Sequence, residues 1–408
     1  MVARPYSIMQ RSIKRRATTA LGEAMASKLT YLDNNATTQP DPRVVAAMTR
    51  MLSEDWGNPS SGHHVGARAA AAVEQSRRQV ARLIGAGAND IVFTSGGTEA
   101  DNAALRGVLS ALPERRHLII SAVEHHAVLE TAEQLAREGA SVTHVSVDGE
   151  GRLDLDELKA AMHDDTALIS IMLANNETGV MFPIPEVVRL ARAHGVLVHT
   201  DAVNALGKAP VNVDELGVDL LSLSSHKIFG PKGVGALYVR DGTPFRKWQI
   251  GGGHERNRRG GTLNAPGIVA IGAACEILHE QSPEVNEHIR AMRDRLESEL
   301  TRQFSNAHCL GRGAERLPNT VCVCFEGLIG ETIVVLLSEA GICVSSGAAC
   351  AAGEVEPSHV LRAMGIDPQL AAGEIRFSFG RNNTEADLDQ LLDVLPDVLH
   401  EAAEVGRF

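Results

Sequence analysis

The chain has no apolar run near the roughly 20 residues that a bilayer crossing needs, so no membrane span is expected. It has no basic excess either. Its 39 Lys and Arg against 51 Asp and Glu leave a net charge of -12, the wrong sign for a partner whose phosphates must be neutralised, which sets nucleic acid aside. Cysteine is sparse. The six cysteines, Cys275, Cys309, Cys322, Cys324, Cys343 and Cys350, show no paired-motif spacing, which excludes a disulfide scaffold and points to a reducing compartment. No internal repeat or low-complexity linker is present. The glycine turns lack both the lysine of a Walker loop and the three-glycine spacing of a dinucleotide fold. What remains is a chain of 408 residues with 44% hydrophobic content, enough to bury a large core in two domains or lobes.

Helical patterns at Val65 to Leu83, Ala127 to Glu138, Leu155 to His163 and Pro185 to His194 alternate with short apolar runs. Those runs are Leu118 to Ile120, Val142 to Val147, Ala167 to Leu173 and Val196 to His199. Helix and strand in turn predict an α/β fold, a mostly parallel sheet with helices on both faces. One long helical pattern is then expected from Ile268 to about Phe304. Beyond it, strands at Thr320 to Phe325 and Ile375 to Phe379 and helices at Glu331 to Ala340 and Glu385 to Leu399 suggest a smaller α+β domain.

Three junctions carry chemistry. In VDLLSLSSHKIFGPKG a buried-strand pattern stops at Gly230-Pro231, leaving Lys227 at the strand end. A lysine so placed can hold an aldehyde cofactor, although by itself a strand-end lysine is more often a plain surface charge. Upstream, GVLVHTDAV delivers Asp201 at a strand's C-terminal end, where open α/β sheets bind ligands; taken alone it is also a helix N-cap. An anionic partner for a pyridine nitrogen and an amine for an aldehyde carbon are complementary needs. In DIVFTSGGTEADN a strand, the Gly96-Gly97 turn and a helix start at Thr98 make an anion site of free N–H groups.

Ten segments in one order resemble the cysteine desulfurases of the NifS/IscS group, pyridoxal-phosphate enzymes of fold type I. They are LDNNATT, GNPSSGH, FTSGGTEADN, EHHAVL, NNETG, HTDAV, SSHKIFGPKG, GGGHERNRRGGT, SSGAAC and IRFSFGR, spanning almost the whole chain from Tyr31. The resemblance implies a seven-stranded-type sheet. It also implies a large cofactor domain over 41–275 and a small domain from 25–40 with 276–408. It makes the chain an L-cysteine desulfurase that gives L-alanine and a persulfide, for iron-sulfur cluster assembly or other sulfur transfer, with no metal at the site. The implied partners are L-cysteine, a second copy in a homodimer, and a sulfur-acceptor or scaffold protein.

By the same resemblance Lys227 carries pyridoxal 5'-phosphate and later takes the substrate's Cα proton. Asp201 holds the ring nitrogen, and His125 stacks on the ring; its neighbour His126 does not align. Gly97, Thr98, Ser224 and His226 hold the phosphate, and Thr262 reaches it from the partner subunit. Arg376, Asn176 and Asn34 bind the substrate's carboxylate end, Arg376 because a guanidinium fork suits it; on sequence alone this arginine is equally an edge charge. Cys350, in the small-residue run SSGAACAAGE that reads as a mobile loop, is the nucleophile. Cys322 and Cys324 alternate in VCVCF and read as core.

Three positions depart from the family pattern. Asn204 stands where glutamine is usual, one methylene short of a hydrogen bond to the cofactor's ring oxygen; Ser225 replaces a glycine, and Ala348 a serine. The segment SSGAACAAGEVEPSHVLRAMG leans toward the nitrogen-fixation-like branch. Two other readings keep part of the pattern: a different pyridoxal-phosphate reaction that has no need of Cys350, and a scaffold that docks sulfur acceptors. The first 24 residues carry five cations against Glu23 alone, the form of a transit peptide. Arginine outnumbers lysine throughout, so a disordered extension with Met25 as working start, in a cytoplasmic protein, is the expectation.

Overall fold

The computed structural model describes residues 29–347, 349–351 and 354–405, with the backbone alone at 349–351 and 354–356. The expected extension over 1–24, the start at Met25 and the departure at Ala348 lie outside the described residues. The first strands are β1 (Thr30–Tyr31), β2 (Ile91–Thr94), β3 (His117–Ser121), β4 (Ser141–Val145), β5 (Thr166–Ser170), β6 (Leu197–Asp201), β7 (Leu220–Ser224) and β8 (Gly235–Val239). After them come β9 (Ala307–Cys309), β10 (Thr320–Phe325), β11 (Ile342–Cys343), β12 (Ala349–Ala351), β13 (Glu354–Glu356) and β14 (Glu374–Ser378).

Seven strands form one sheet in the order β2-β8-β7-β6-β5-β3-β4. All run parallel except β8, which pairs antiparallel with both β7 and β2. Alternation across the pleat sorts the side chains. In β3, Ile119 joins the core on one face while Leu118 and Ile120 join the core on the other. Helices cover both faces, so β2, β3, β5, β7 and β8 are buried along their whole length, whereas the edge strand β4 is exposed at Ser141 and His144. Each fully buried leucine or isoleucine contributes about 1.5–3 kcal/mol. A further core gathers Leu32 with residues from Ile289 to Ala402 around the antiparallel sheet β14-β10-β9.

Two expectations change. The helical pattern from Ile268 to Phe304 is two helices, Ala265–His279 and Glu284–Gln303. The break falls at Pro283, whose missing N–H cannot continue the first helix but suits the start of the second. The run read as a mobile loop around Cys350 is drawn into a ribbon, with Cys350 paired to Val355 between β12 and β13. Cys322 and Cys324 are fully buried, as read.

Candidate active site

Parallel strands end on one edge of the sheet, and the turns that leave them converge there. Gly97 follows β2, His125 follows β3, Asn176 lies beyond β5, Asp201 closes β6, Ser224 closes β7, and His226 and Lys227 follow it. Together with Thr98, Asp101, Met172, Ala174, Val203, Asn204 and Ala36 they line a cavity of about 330 Å³.

Lys227 is nearly buried, and its ammonium donates to the carbonyls of Asn35 and of Ala36, the latter at 3.1 Å. Burial, then the Arg376 charge, pushes it down to about 8, with Asp201 and Asp33 opposing. Asp201 accepts the Val203 N–H at 2.8 Å. Burial pushes its carboxyl up to about 6 against that bond and the charge of Lys227. Behind it Asp101 is raised by burial and by the charge of Asp201, and Glu124 is raised to about 8 by burial. Asp101 Oδ1 and Glu124 Oε2 are buried without hydrogen-bond partners. Three neighbouring carboxyls cannot all ionise in so dry a wall. The cavity therefore calls for a cationic group beside Asp201.

His125 caps the helix His126–Arg137, its Nδ1 accepting the Ala127 N–H at 3.1 Å. That bond places the ring proton on Nε2. Burial and Lys227 hold the ring down to about 4, so it is neutral at neutral pH. His126 points to solvent. His226 is likewise pushed to about 4, by burial and then Lys227, and its Nδ1 meets Thr37 Oγ1 at 3.3 Å. The helix Gly97–Ala111 begins behind Gly96 with no side-chain cap, leaving its first N–H groups to a ligand. A Cβ on Gly97 would sit 2.7 Å from Val203 Cγ2, so this cradle requires glycine.

The structure does not bring every sequence-derived candidate to this cavity. Arg376 is buried, donating to the Asn176 carbonyl at 3.1 Å and to Asp33 Oδ1 at 3.0 Å, with its Nε unpaired. Asn34 donates to the Ser378 carbonyl at 2.9 Å and lines a neighbouring cleft with Lys227. Thr262 is exposed on its own chain, and Cys350 is placed by backbone alone. Sequence reasoning missed Asp101, three residues after Thr98 on the same helix face; that spacing was the available signal. It missed Lys208 as well.

These residues fit pyridoxal 5'-phosphate: a lysine whose proton is more weakly held than usual, a buried carboxyl needing a cation, and an uncapped helix start for a phosphate. Such a set can hold an aldehyde, pair with a protonated ring nitrogen and cradle a dianion.

The class-V aminotransferase family profile matches residues 30–391. A cysteine desulfurase of Trichormus azollae is 48% identical over 380 residues, covering 93% of this chain and 94% of that one. A solved NifS-like protein superposes with a TM-score of 0.86 at 40% identity, over 92% of this chain and 100% of its own. A structure of SspA in complex with cysteine gives 0.77 at 33% identity, over 87% and 100%.

Proposed function

We propose, from the premise that the chain belongs to the class-V aminotransferase family, how it works as an L-cysteine desulfurase. The family is generally pyridoxal-phosphate-dependent, and this chain is read as using that cofactor. The observation that carries the reading is that the amine of Lys227 and the carboxyl of Asp201 leave adjacent strands for one cavity, beside the uncapped start of the Gly97 helix.

Pyridoxal 5'-phosphate, when bound, supplies an electron sink for the pair left on the substrate's Cα. Asp201 is the anion that keeps its ring nitrogen protonated. Gly97 and Thr98 N–H groups, with the Ser224 hydroxyl and His226, hold the phosphate by charge-assisted bonds. Thr262, exposed on its own chain, serves the partner's site in a homodimer, and exposed Trp56, Trp248 and Ile250 supply apolar surface for that contact. His125, neutral and with its proton on Nε2, would lie against the cofactor ring and could pass that proton on. Arg376, Asn176 and Asn34 orient the substrate's carboxylate. Lys227, its proton weakly held, takes the Cα proton of L-cysteine.

Cys350 then attacks the substrate's sulfur as a thiolate. The S–S bond forms as the Cβ–S bond breaks, the electron pair stays with carbon, Cβ takes up a proton, and return of the proton held by Lys227 to Cα gives L-alanine. The persulfide on Cys350 passes to an acceptor, in iron-sulfur cluster assembly or related sulfur transfer. Residues 41–275 are read as the cofactor domain and 25–40 with 276–408 as the small one. None of the described helices is long and apolar enough to cross a membrane, and a cytoplasmic site of action is proposed.

The test is alanine and sulfide release from L-cysteine, with and without a reductant. Lys227→Ala is expected to abolish both together with the cofactor's visible band, and alanine release by that variant would overturn the assignment. Cys350→Ser is expected to keep the band and its change on adding cysteine but to gain no sulfur by mass.

A further inference from the structure

The ribbon that carries Cys350 is tied at both roots to a buried carboxyl. Before it, the Gly347 N–H donates to Glu374 Oε2; after it, the Ser358 hydroxyl donates to Glu177 Oε2. Glu374 is 2% exposed and Glu177 7%. Both carboxyls face the same point, since a Cβ built on Gly347 would lie 2.7 Å from Glu177 Oε2 and 3.1 Å from Glu374 Oε2. A side chain there would push the acids apart. Burial raises both groups, Glu177 to about 7 with the neighbouring Glu374 charge adding to it. Two buried carboxyls side by side are a cost the fold retains, and neither has a part in the chemistry proposed above.

Their places in the chain explain them. Glu177 follows Asn176, and Glu374 lies two residues before Arg376 on β14, on the same side of the strand. The segment entering the ribbon runs along β14, with the Arg376 N–H donating to the Ser345 carbonyl at 2.8 Å and the Ser345 N–H returning a bond at 3.3 Å. Arg376 in turn donates to the Asn176 carbonyl at 3.1 Å. The two segments that present Asn176 and Arg376 therefore also hold the two roots of the ribbon.

We propose that Glu177 and Glu374 are positioning residues for sulfur transfer, fixing the Cys350 ribbon to the frame that binds the substrate's carboxylate. The frame that binds the substrate's carboxylate then also sets where the ribbon starts and where it ends. This rests on the desulfurase reading above, and the experiment separates the two.

Glu374→Ala, Glu177→Ala and their Gln counterparts are compared with the native holoenzyme by three readouts. They are the change in the cofactor band on adding L-cysteine, the rate of persulfide formation on Cys350 by mass, and the iodoacetamide alkylation rate of Cys350 without cysteine. The Ala variants are expected to keep the band change at native cysteine concentrations. Their persulfide rate falls roughly tenfold or more, because about 1 Å of misplacement costs on the order of 10²-fold, and their alkylation rate shifts several-fold. The Gln variants, which keep an acceptor, restore most of both. Native persulfide and alkylation rates in the Ala variants would overturn the proposal. So would Gln variants as slow as Ala, or loss of the band change in step with the persulfide rate. Where an Ala variant does not fold, Gly347→Ala, which forces the carboxyls apart, carries the same expectations. If the native protein shows no band change, the desulfurase reading fails, and the alkylation comparison still decides whether the acids hold the ribbon.

Discussion

Lys208 holds Asn204 twice, donating to its side-chain oxygen and to its backbone carbonyl, each at 2.9 Å. The third proton goes to Asn35 Oδ1 at 3.1 Å. Burial and the charges of Lys227 and Arg376 lower this ammonium's hold on its protons, yet three carbonyl oxygens accept all three. Asn204 Nδ2 donates to the Asn175 carbonyl at 3.3 Å, so the amide is anchored at both ends on the cavity wall.

Asn204→Gln moves that amide inward by one methylene, about 1.5 Å. A hydrogen bond then donated to the cofactor's ring oxygen would stabilise its anion by about 1.5–3 kcal/mol. One pKa unit corresponds to about 1.4 kcal/mol, so the titration midpoint of the bound cofactor's visible band is expected to fall by about one to two units. Spectrophotometric titration of the reconstituted variant checks this, and an unmoved midpoint would show that Asn204 already serves the oxygen.

The lowered affinity of Lys227 for its proton governs cofactor loading. Only the neutral amine attacks an aldehyde. With the group near 8 rather than its ordinary 10.5, the rate at which the cofactor-free protein gains its visible band should climb with pH and level off above about 8. By linkage, the unfolded lysine keeps its proton between those two values while the folded one has lost it, so this residue's contribution to stability rises with pH across that window. Stopped-flow loading between pH 6.5 and 10 is the measurement; a midpoint near 10 would contradict the burial argument.

How much of this was legible in the sequence depended on the range of the interaction. Lys227, Asp201 and Gly97 each sit where a hydrophobic run ends in a turn, a local signal, and the structure places all three on one cavity. Strand Thr320–Phe325 was read to the residue because valine and cysteine alternate strictly. The ribbon at Cys350 was taken for a loop because alanine and glycine carry no alternation, and backbone pairing alone defines it. The break at Pro283 was missed because the amphipathic pattern resumes at once in Glu284–Gln303. Glu374 and Lys208 gave no signal at all, since their partners Gly347 and Asn35 are brought to them only by the tertiary fold.

The segment HERN shows the same limit and yields the last prediction. Glu255, Arg256 and Asn257 all adopt left-handed backbone, φ 48°, 54° and 64°, at a cost of about 1–2 kcal/mol for each residue with a Cβ. None of the three is a glycine, although Gly251 to Gly253 stand just before them. What holds it is Arg77, which is 2% exposed and forks onto Glu255, Nη1 to Oε2 at 2.8 Å and Nη2 to Oε1 at 2.7 Å. The Phe93 N–H donates to the same carboxylate at 2.8 Å, and Arg77 Nη1 also reaches the Ile91 carbonyl at 2.9 Å. The pair thus pins the strained turn to the start of β2, five residues before Thr262. Glu255→Ala removes the fork's partner and releases the turn, leaving the buried guanidinium only Glu74 Oε1 at 3.0 Å and the Ile91 carbonyl, and is expected to cost about 3 kcal/mol in denaturant unfolding. Replacing both partners, Arg77→Met with Glu255→Leu, removes the buried charge along with its counter-charge and should recover much of that loss while the turn still relaxes. A single variant as stable as the native chain would mean that the left-handed turn is held by something other than this ion pair.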